Sequence, residues 1–336
     1  AVAQPTKQGF LYVFDRVSGV PVWPIEERPV AKGDVPGEWY APTQPFVTKP
    51  PAYERQGVAI DDLIDFTPEL RAQAMEVVKK YKIGPLFTPP VVSKIEGPLA
   101  MLMQSFASNW PGGSYDPETH ILYVHSQAGA TPLGLVKPAD PKIDFDWVQG
   151  SAATGMRTTL GSGGGAGADA PAADRAAAAA RASAAAAPAG EGGGGLSVQG
   201  LNLTKPPYGS ITAIDLNKGD IAWRVAHGET PDNVKNHPAL KGLTIPRTGQ
   251  TGNVGTLVTK TVVVAGDPRV TTTSAGRGAM LRAYDKATGS EVGAVLMPAP
   301  QSGSPMTYLW NGKQYIIVAI SGGNYAGELL AFKLPG

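Results

Sequence analysis

The sequence predicts an all-β fold built from short repeated strands, and three observations support this prediction. Glycine and proline are abundant, with 42 and 31 residues among 336, whereas charged residues make up only 17%, against about 25% in an average soluble domain. The longest apolar run, at 315–320, has the length of a strand and is far too short to span a membrane. A strand–turn–strand unit also recurs along the chain. These features are typical of many short strands joined by turns.

The repeated unit consists of an apolar run that ends at an aspartate, a glycine four residues later, and a second apolar run. Its three copies occupy residues 11–23, 211–223 and 281–293. The aspartate can accept hydrogen bonds from turn amides, and the glycine can adopt the positive φ that a tight turn requires. The sequence therefore predicts three hairpins whose aspartates stabilise turns rather than act as acids. These aspartates are Asp15, Asp215 and Asp285.

Two of the three copies also carry a tryptophan four residues after the glycine. These are Trp23 and Trp223, whereas Gly293 holds this place in the third copy. An indole ring at this position can fill the space between neighbouring sheets. Together with the short strands between the copies, the pattern fits the four-stranded antiparallel blades of a β-propeller.

The blade boundaries predict an incomplete propeller. Residues 9–25 would form the third and fourth strands of one blade, 109–227 a second blade and 254–297 a third. A fourth blade would begin near residue 304 and end with its third strand at 329–332. We therefore expect about three and a quarter blades with unpaired strand edges at both ends, which invite pairing with another chain or segment.

Two long insertions interrupt the predicted blades, so that residues 1–336 form one partial propeller domain. The first, at 24–103, is rich in proline and contains a predicted helix near 68–82, with Thr67 as N-cap. The second, at 151–195, is rich in glycine and alanine and has few large apolar residues. Such a segment buries too little surface to offset its chain entropy, and we predict a disordered loop there.

Composition and spacing exclude several kinds of site. The sequence has no cysteine, which excludes disulfides, thiolate metal sites and a CxxCH haem attachment within it. Its 28 acidic and 29 basic residues nearly cancel, so that no charge field indicates nucleic acid as a partner. The four histidines show no metal-ligand spacing, and we expect no metal ligand in this chain: His120, His125, His227 and His237.

Several segments resemble the PQQ-dependent quinoprotein dehydrogenases. The most specific is Lys7-Gln-Gly-Phe-Leu-Tyr-Val-Phe-Asp-Arg, and shorter motifs occur at 42–46, 86–90, 230–239 and 305–315. The likeness is to the glucose- and alcohol-dehydrogenase-like branch and covers nearly the whole chain outside the second insertion. It implies that this chain is the C-terminal part of an eight-bladed β-propeller with tryptophan-docking repeats, and that the missing N-terminal half of the propeller is its partner.

The resemblance implies oxidation of a sugar, polyol or alcohol by hydride transfer to PQQ, with electrons passed to a quinone or a cytochrome. In this family the general base and the Ca²⁺ ligands come from earlier blades. The resemblance therefore implies no catalytic residue in this segment, a general base upstream of residue 1, and an enzyme that is inactive without its N-terminal half. It also implies a periplasmic location, compatible with inner-membrane association through the missing N-terminal region.

The same resemblance implies cofactor-binding roles for Lys7, Asn109, Trp110 and Asn253. The ammonium group of Lys7 would stabilise negative charge that develops on the quinone oxygens. Asn109 could bond a PQQ carboxylate or carbonyl and Trp110 could pack near the ring, but Asn109 could equally cap a turn and Trp110 could belong to the blade core. Asn253 lies in a Gly-Asn-Val-Gly motif that could approach the central axis, and a strand-entry turn explains this motif equally well.

Two other functions remain open on the sequence alone. A propeller of such repeats could serve as a protein-binding scaffold without a cofactor. The chain could also be a structural remnant that keeps the pattern of an enzyme without its activity. A scaffold needs neither Lys7 nor the segment that contains Asn109 and Trp110, so these residues favour the dehydrogenase.

Overall fold

The computed structural model describes residues 1–104, 107–153, 195–322 and 325–333. The disordered loop predicted at 151–195 lies outside the described residues except at its ends. The described part of the chain contains no helix that is both long and apolar enough to cross a bilayer. Its main elements are antiparallel sheets, named blades 1 to 4 below in chain order.

Blade 1 contains the first repeat. Its strands are β1 (Val2–Pro5) and β2 (Leu11–Phe14), which pair antiparallel. A third, short extended segment follows the turn, since Val22 N–H donates to the Val13 carbonyl at 2.8 Å. The sequence predicted the second and third of these segments but not β1.

The first insertion leaves blade 1 and forms strands of its own. One 3₁₀ turn and one helix interrupt these strands: β3 (Ile25–Pro29), β4 (Thr43–Val47), β5 (Gly57–Val58), the 3₁₀ turn Ile60–Asp62, α1 (Pro68–Val78), β6 (Tyr81–Lys82), β7 (Gly84–Pro85), β8 (Val91–Val92) and β9 (Ala100–Gln104).

Blade 2 is a four-stranded sheet whose chain makes an excursion between its second and third strands. The strands of the blade are β10 (Gly113–Asp116), β11 (Ile121–Gln127), β16 (Gly209–Asp215) and β17 (Asp220–Ala226). The excursion contains four strands between β11 and β16: β12 (Ala130–Val136), β13 (Val148–Gln149), β14 (Ser197–Val198) and β15 (Leu201–Asn202). The blade has the order β10-β11-β16-β17, and all its neighbours are antiparallel.

Blades 3 and 4 follow a short helix, α2 (Asp232–Lys235), and a 3₁₀ turn at Pro238–Leu240. Blade 3 has the order β18-β19-β21-β22, with β20 against the start of β21, and blade 4 has the order β23-β24-β25. Their strands are β18 (Leu257–Val258), β19 (Val262–Gly266), β20 (Thr271–Thr273), β21 (Gly276–Asp285), β22 (Glu291–Met297), β23 (Met306–Trp310), β24 (Lys313–Gly322) and β25 (Tyr325–Lys333).

The tryptophans of the repeats pack on the turn glycines of the following blade. A Cβ atom on Gly219 would lie 2.9 Å from the Trp23 ring, and one on Gly289 would lie 2.7 Å from the Trp223 ring. Both glycines also have positive φ, of +69° and +74°. Only glycine satisfies both the turn and the close approach of the ring. The predicted docking of tryptophan between blades is therefore confirmed for these two contacts.

The repeated aspartates hold the turns, as the sequence predicted. Asp15 Oδ1 accepts hydrogen bonds from the Val17 and Ser18 amides at 3.0 and 2.8 Å. Asp215 and Asp285 accept from the equivalent amides of their own turns. Hydrogen bonds from the Ser18 amide and hydroxyl lower the pKa of Asp15, so that this carboxyl is ionised at neutral pH.

Helix α1 begins where the sequence predicts and ends earlier. Thr67 caps it, since Thr67 Oγ1 accepts a hydrogen bond from Leu70 N–H at 3.2 Å. The helix predicted near 68–82 is wrong at its C-terminal end, because α1 ends at Val78 and Tyr81–Lys82 forms β6. Strand β6 pairs in parallel with β9, a contact between distant parts of the insertion that helical periodicity does not reveal.

The first insertion and the excursion from blade 2 form one subdomain, which the sequence did not predict. Strand β12 pairs antiparallel with β9 and in parallel with β8, and β13 extends the same sheet. One hydrophobic core joins the two parts. Its buried side chains include residues of α1 and its flanks, of β9 and of the excursion: Leu63, Ile64, Leu70, Ala74, Val78, Leu102, Ala130, Val198, Leu201 and Leu203.

Two buried histidines between blades 2 and 3 are expected to make the fold sensitive to acid. His125 and His227 pack edge to face with ring centroids 5.4 Å apart. Burial lowers the pKa of both, and the charge of His227 further lowers that of His125. The neutral rings therefore stabilise the fold above the unfolded pKa of about 6.5, and this contribution falls by up to about 1.4 kcal/mol per pH unit and per histidine below that pH.

Urea unfolding at pH 7.5 and at pH 5.0 tests this expectation. His125→Phe should show a smaller loss of stability between the two pH values than the unchanged chain. His120→Phe is the matched control, since His120 is exposed, and it should keep the full loss. An equal loss in all three proteins would contradict the assignment of the acid sensitivity to His125.

Candidate functional site

Lys7 lies in the turn between β1 and β2, at one end of blade 1. Its side chain is exposed, and its carbonyl accepts a hydrogen bond from Ala107 N–H at 3.0 Å. The turn is closed by backbone bonds from Gly9 N–H to the Thr6 carbonyl and from Thr6 N–H to the Phe10 carbonyl. The backbone that carries the ammonium group is thus fixed by bonds within the turn and by the chain that enters blade 2.

Residues 53–56 hold the same turn from the side of the insertion. The buried Tyr53 hydroxyl accepts from Thr6 N–H at 3.0 Å and donates to the Thr6 carbonyl at 2.8 Å. Tyr53 N–H donates to the Gly9 carbonyl, and Gln56 Nε2 donates to the Gln8 carbonyl at 2.9 Å. Burial raises the pKa of Tyr53 to about 12, so the phenol keeps the proton that it donates. We name residues 53–56 the clamp segment.

The clamp segment is itself tied to blade 2 through a buried carboxylate. Glu54 is only 3% exposed, and its Oε2 accepts from Ser126 Oγ at 2.8 Å and from Arg224 Nη2 at 2.5 Å. Ser126 lies on β11 and Arg224 on β17. The position of the Lys7 turn relative to blade 2 therefore depends on an ion pair that is largely removed from water.

Asn109 and Trp110 lie in the turn that enters blade 2. Asn109 Oδ1 accepts from the Trp110 amide at 3.0 Å, and the Asn109 carbonyl accepts from Gly112 N–H at 3.0 Å. Asn109 therefore caps this turn, which is one of the two roles that the sequence left open for it. Trp110 is 90% exposed, so its interpretation as part of the blade core is wrong. A flat apolar ring is instead presented at the surface, beside the backbone that contacts the Lys7 turn.

Asn253 joins the same end of the sheets through Gln127. Asn253 Oδ1 accepts from Gln127 Nε2 at 3.2 Å, while Gln127 Oε1 accepts from Gly252 N–H at 2.9 Å. Gln127 N–H also donates to the Ala107 carbonyl, and Ala107 N–H donates to Lys7. The structure thus links two of the four predicted cofactor residues, Lys7 and Asn253, along one chain of hydrogen bonds through Gln127 and Ala107. Gln127 itself carried no signal in the sequence, because its role depends on where β11 ends.

A cleft of about 350 Å³ opens beside the Lys7 turn, between blade 1 and the subdomain. Its polar wall includes Lys7, Gln8 and Arg55, and its apolar wall includes Phe87, Met101, Met103 and Leu133. Sequence analysis did not identify Arg55, whose neighbours in the chain form no recognisable motif. The cleft unites the predicted lysine with a second cation and an apolar surface on which a flat ring could pack.

Arg55 is held in place at the edge of this cleft by backbone carbonyls. Its Nη2 donates to the Lys205 and Pro207 carbonyls at 2.8 and 3.0 Å. Its Nε lies 3.9 Å from Glu54 Oε1. Burial lowers the pKa of Arg55, and the charges of Glu54 and Asp62 oppose this effect.

The residues that the structure describes contain no group of three or more His, Asp or Glu side chains arranged to hold a metal ion. His125 and His227 lie between blades 2 and 3, and His237 braces a loop by contacts with the Gln199 carbonyl and the Ala239 amide.

A family model described as the glucose/ethanol/alcohol dehydrogenase β-propeller domain, of the PQQ type, matches residues 1–316. Curated relatives include a quinate/shikimate dehydrogenase (quinone) of Acinetobacter baylyi, 27% identical over 96% of this chain and 36% of its own length. A glycerol dehydrogenase large subunit of Gluconobacter oxydans is 28% identical over the whole of this chain and 42% of its own. The quinoprotein glucose dehydrogenase of Escherichia coli is 26% identical over 98% of this chain and 38% of its own length.

The chain thus spans less than half the length of these relatives. Among solved structures, a quinohemoprotein alcohol dehydrogenase from Comamonas testosteroni superposes with a TM-score of 0.42 and 18% identity, over 95% of this chain and 31% of its own. A europium-containing methanol dehydrogenase gives a TM-score of 0.40 and 14% identity, over 96% of this chain and 36% of its own.

Proposed function

Because residues 1–316 match its β-propeller domain, the chain belongs to the PQQ-type glucose/ethanol/alcohol dehydrogenase family, and from this membership we propose that it forms part of an enzyme that oxidises a sugar, polyol or alcohol. The electrons would pass to a quinone or a cytochrome. The observation that carries the proposal is the Lys7 turn, which the clamp segment and blade 2 hold at the same end of the sheets as Trp110 and Asn253.

The residues at this site fit PQQ, which is a planar quinone that carries carboxylates. Lys7 and Arg55 supply positive charge toward such groups, and the apolar side chains of Phe87, Met101 and Met103 supply a surface for a flat ring. PQQ, when bound, would supply the group that accepts the hydride.

The chain's own residues would bind and orient rather than abstract the proton. The Lys7 ammonium group would donate toward quinone oxygens, and the fixed backbone of its turn would lower the reorganisation that charge stabilisation requires. Trp110 and Asn253 would border the site from the side of blades 2 and 3. We propose that the general base and the Ca²⁺ ligands lie on sequence outside this chain, and that the enzyme works in the periplasm.

Titration with PQQ tests the role of Lys7. The change Lys7→Gln removes the charge from an exposed side chain and should weaken PQQ binding about 10- to 100-fold, the value of a lost charge-assisted interaction of about 1.5–3 kcal/mol. Quenching of tryptophan fluorescence gives the affinity, in this chain and in any longer polypeptide that carries it.

Lys260→Gln is the matched control for this titration, because Lys260 is an exposed lysine in the turn between β18 and β19. It should bind PQQ as the unchanged chain does. If PQQ binds to none of these proteins, the dehydrogenase proposal fails and the protein-binding scaffold becomes the better explanation. If Lys7→Gln binds PQQ as tightly as the unchanged chain, Lys7 does not contribute to PQQ binding, and the family assignment is unaffected.

A further inference from the structure

Arg269 lies in the connection between β19 and β20, beside the loop that carries Asn253. Its Nε donates to the Thr251 carbonyl at 2.8 Å. The two loops are also in direct contact, because a Cβ atom on Gly252 would collide with the Pro268 ring. The Arg269 guanidinium is therefore held next to a loop that borders the candidate site.

The topology gives Arg269 the same place in blade 3 that the Lys7 turn has in blade 1. Lys7 lies in the connection that leads into β2, Gln127 ends the strand before the excursion that leads into β16, and Arg269 lies in the connection that leads through β20 into β21. Strands β2, β16 and β21 are the first strands of the three repeats. Hydrogen bonds join these positions, since the Gln127 side chain contacts Asn253 and its amide contacts Ala107, which in turn contacts Lys7. The three connections therefore lie at one end of the sheets.

Arg269 is partly buried and forms no ion pair with a carboxylate among the described residues. Arg55, Arg71 and Arg282 are the other described arginines that are not exposed, and each of them forms an ion pair. Burial lowers the pKa of Arg269, and no neighbouring charge opposes this effect, but an arginine stays protonated at neutral pH. Its positive charge is thus partly removed from water without a counter-charge from the described protein groups, which costs free energy unless a ligand supplies one.

We propose that Arg269 binds a carboxylate of PQQ from the side of blade 3. The inference rests on the proposed function and deepens it, because it assigns a further contact of the same cofactor. PQQ carries several carboxylates, whereas the Lys7 ammonium group is assigned to the quinone oxygens. A guanidinium group suits a carboxylate better than an ammonium group does, because its planar fork can donate two parallel hydrogen bonds. Asn253 Oδ1 accepts from Gln127, which leaves the Asn253 Nδ2 group as a second donor beside this fork.

Two ligands with the same ring system isolate the carboxylates. PQQ and its trimethyl ester share the quinone, but the ester carries no negative charge, and quenching of tryptophan fluorescence in the full chain at pH 7 gives both affinities. Arg269→Gln should weaken the binding of PQQ by about 10-fold or more and that of the ester less, so that the ratio of the two affinities falls at least about 5-fold. Lys7→Gln should weaken the binding of both ligands, because the ester keeps the quinone oxygens, and should change the ratio less than Arg269→Gln does.

Arg277→Gln is the matched control, because it removes the same charge at the start of β21 in the same blade. Arg277 is exposed and already pairs with Asp232 at 2.7 Å, so both affinities and their ratio should stay unchanged. Arg269→Lys keeps the charge but not the fork and should retain part of the ratio. An unchanged ratio in Arg269→Gln would overturn the proposal, and so would a larger change of the ratio in Lys7→Gln than in Arg269→Gln.

Urea unfolding without PQQ separates a binding residue from a structural one. Because the Arg269 charge is partly desolvated without a described carboxylate partner, Arg269→Gln should not lower the midpoint of unfolding. A lower midpoint together with equal weakening of both ligands would show that the bond to the Thr251 carbonyl holds the two loops together, and would overturn the binding role. If neither ligand binds to the unchanged chain, the proposed function fails and this inference with it. If both ligands bind and only the effect of Arg269→Gln on the ratio is missing, this inference fails alone.

Discussion

Replacing Asp267 with asparagine is expected to lower the free energy of unfolding by about 3 kcal/mol. Asp267 is fully buried, and its two oxygens accept from Arg282 Nε at 2.6 Å and Nη2 at 3.0 Å. Burial lowers the pKa of Arg282, but the hydrogen bonds and the charges of Asp267 and Glu291 outweigh it and raise that pKa above its usual value. Removing one partner of such a pair costs about 3–5 kcal/mol. The lower end applies because Glu229 and Glu291 still contact the guanidinium.

Chemical unfolding of Asp267→Asn, followed by circular dichroism, measures this loss. The control is Glu76→Gln, which removes the same charge from an exposed pair with Lys79 and should change stability by less than about 1 kcal/mol. Equal effects of the two substitutions would show that the buried pair is not important for the packing of blade 3.

The blades could be predicted because their determinants are local. An aspartate and a glycine four residues apart define each turn, and the tryptophan four residues beyond gives the docking contact. Each of these rules acts within about a dozen residues. The strand order of blades 2 and 3 then follows from antiparallel pairing of successive strands. Two segments depart from this simple connection: the excursion between β11 and β16, and β20, which pairs with the start of β21 and does not separate β19 from β21.

The subdomain could not be predicted, because its strands are short and their partners are distant in sequence. Strands β5, β6, β7 and β8 have two residues each, which is too short for any periodicity to be visible. Their pairing depends on a core shared by α1 and the excursion. The end of the helix predicted near 68–82 was wrong for the same reason.

The residues of the candidate site also fall into two groups, those that the sequence could identify and those that it could not. Lys7 could be found because a contiguous motif surrounds it, and Asn109, Trp110 and Asn253 lie in loops that glycines mark. Arg55 and Gln127 are ordinary polar residues in the sequence. They acquire a role only when the insertion and the end of β11 meet beside the Lys7 turn.

The change Glu54→Gln is expected to lower stability by about 3 kcal/mol and to loosen the Lys7 turn. Glutamine can keep the hydrogen bond with Ser126, but it leaves Arg224 and Arg55 without their shared carboxylate. The loss of a buried carboxylate from such a pair costs about 3–5 kcal/mol. Arg224 is partly exposed to water, which places the expected value at the lower end.

Hydrogen exchange distinguishes a loosened turn from a general loss of stability. The Thr6 and Gly9 amides are held by Tyr53 and by the turn itself, and they should exchange faster in Glu54→Gln than the global change in stability requires. Glu118→Gln is the control, since Glu118 is exposed and lies 3.8 Å from Lys286. PQQ affinity should fall together with the protection of these amides. Unchanged protection with weaker PQQ binding would show that Glu54 acts on the site through its charge rather than through the clamp segment.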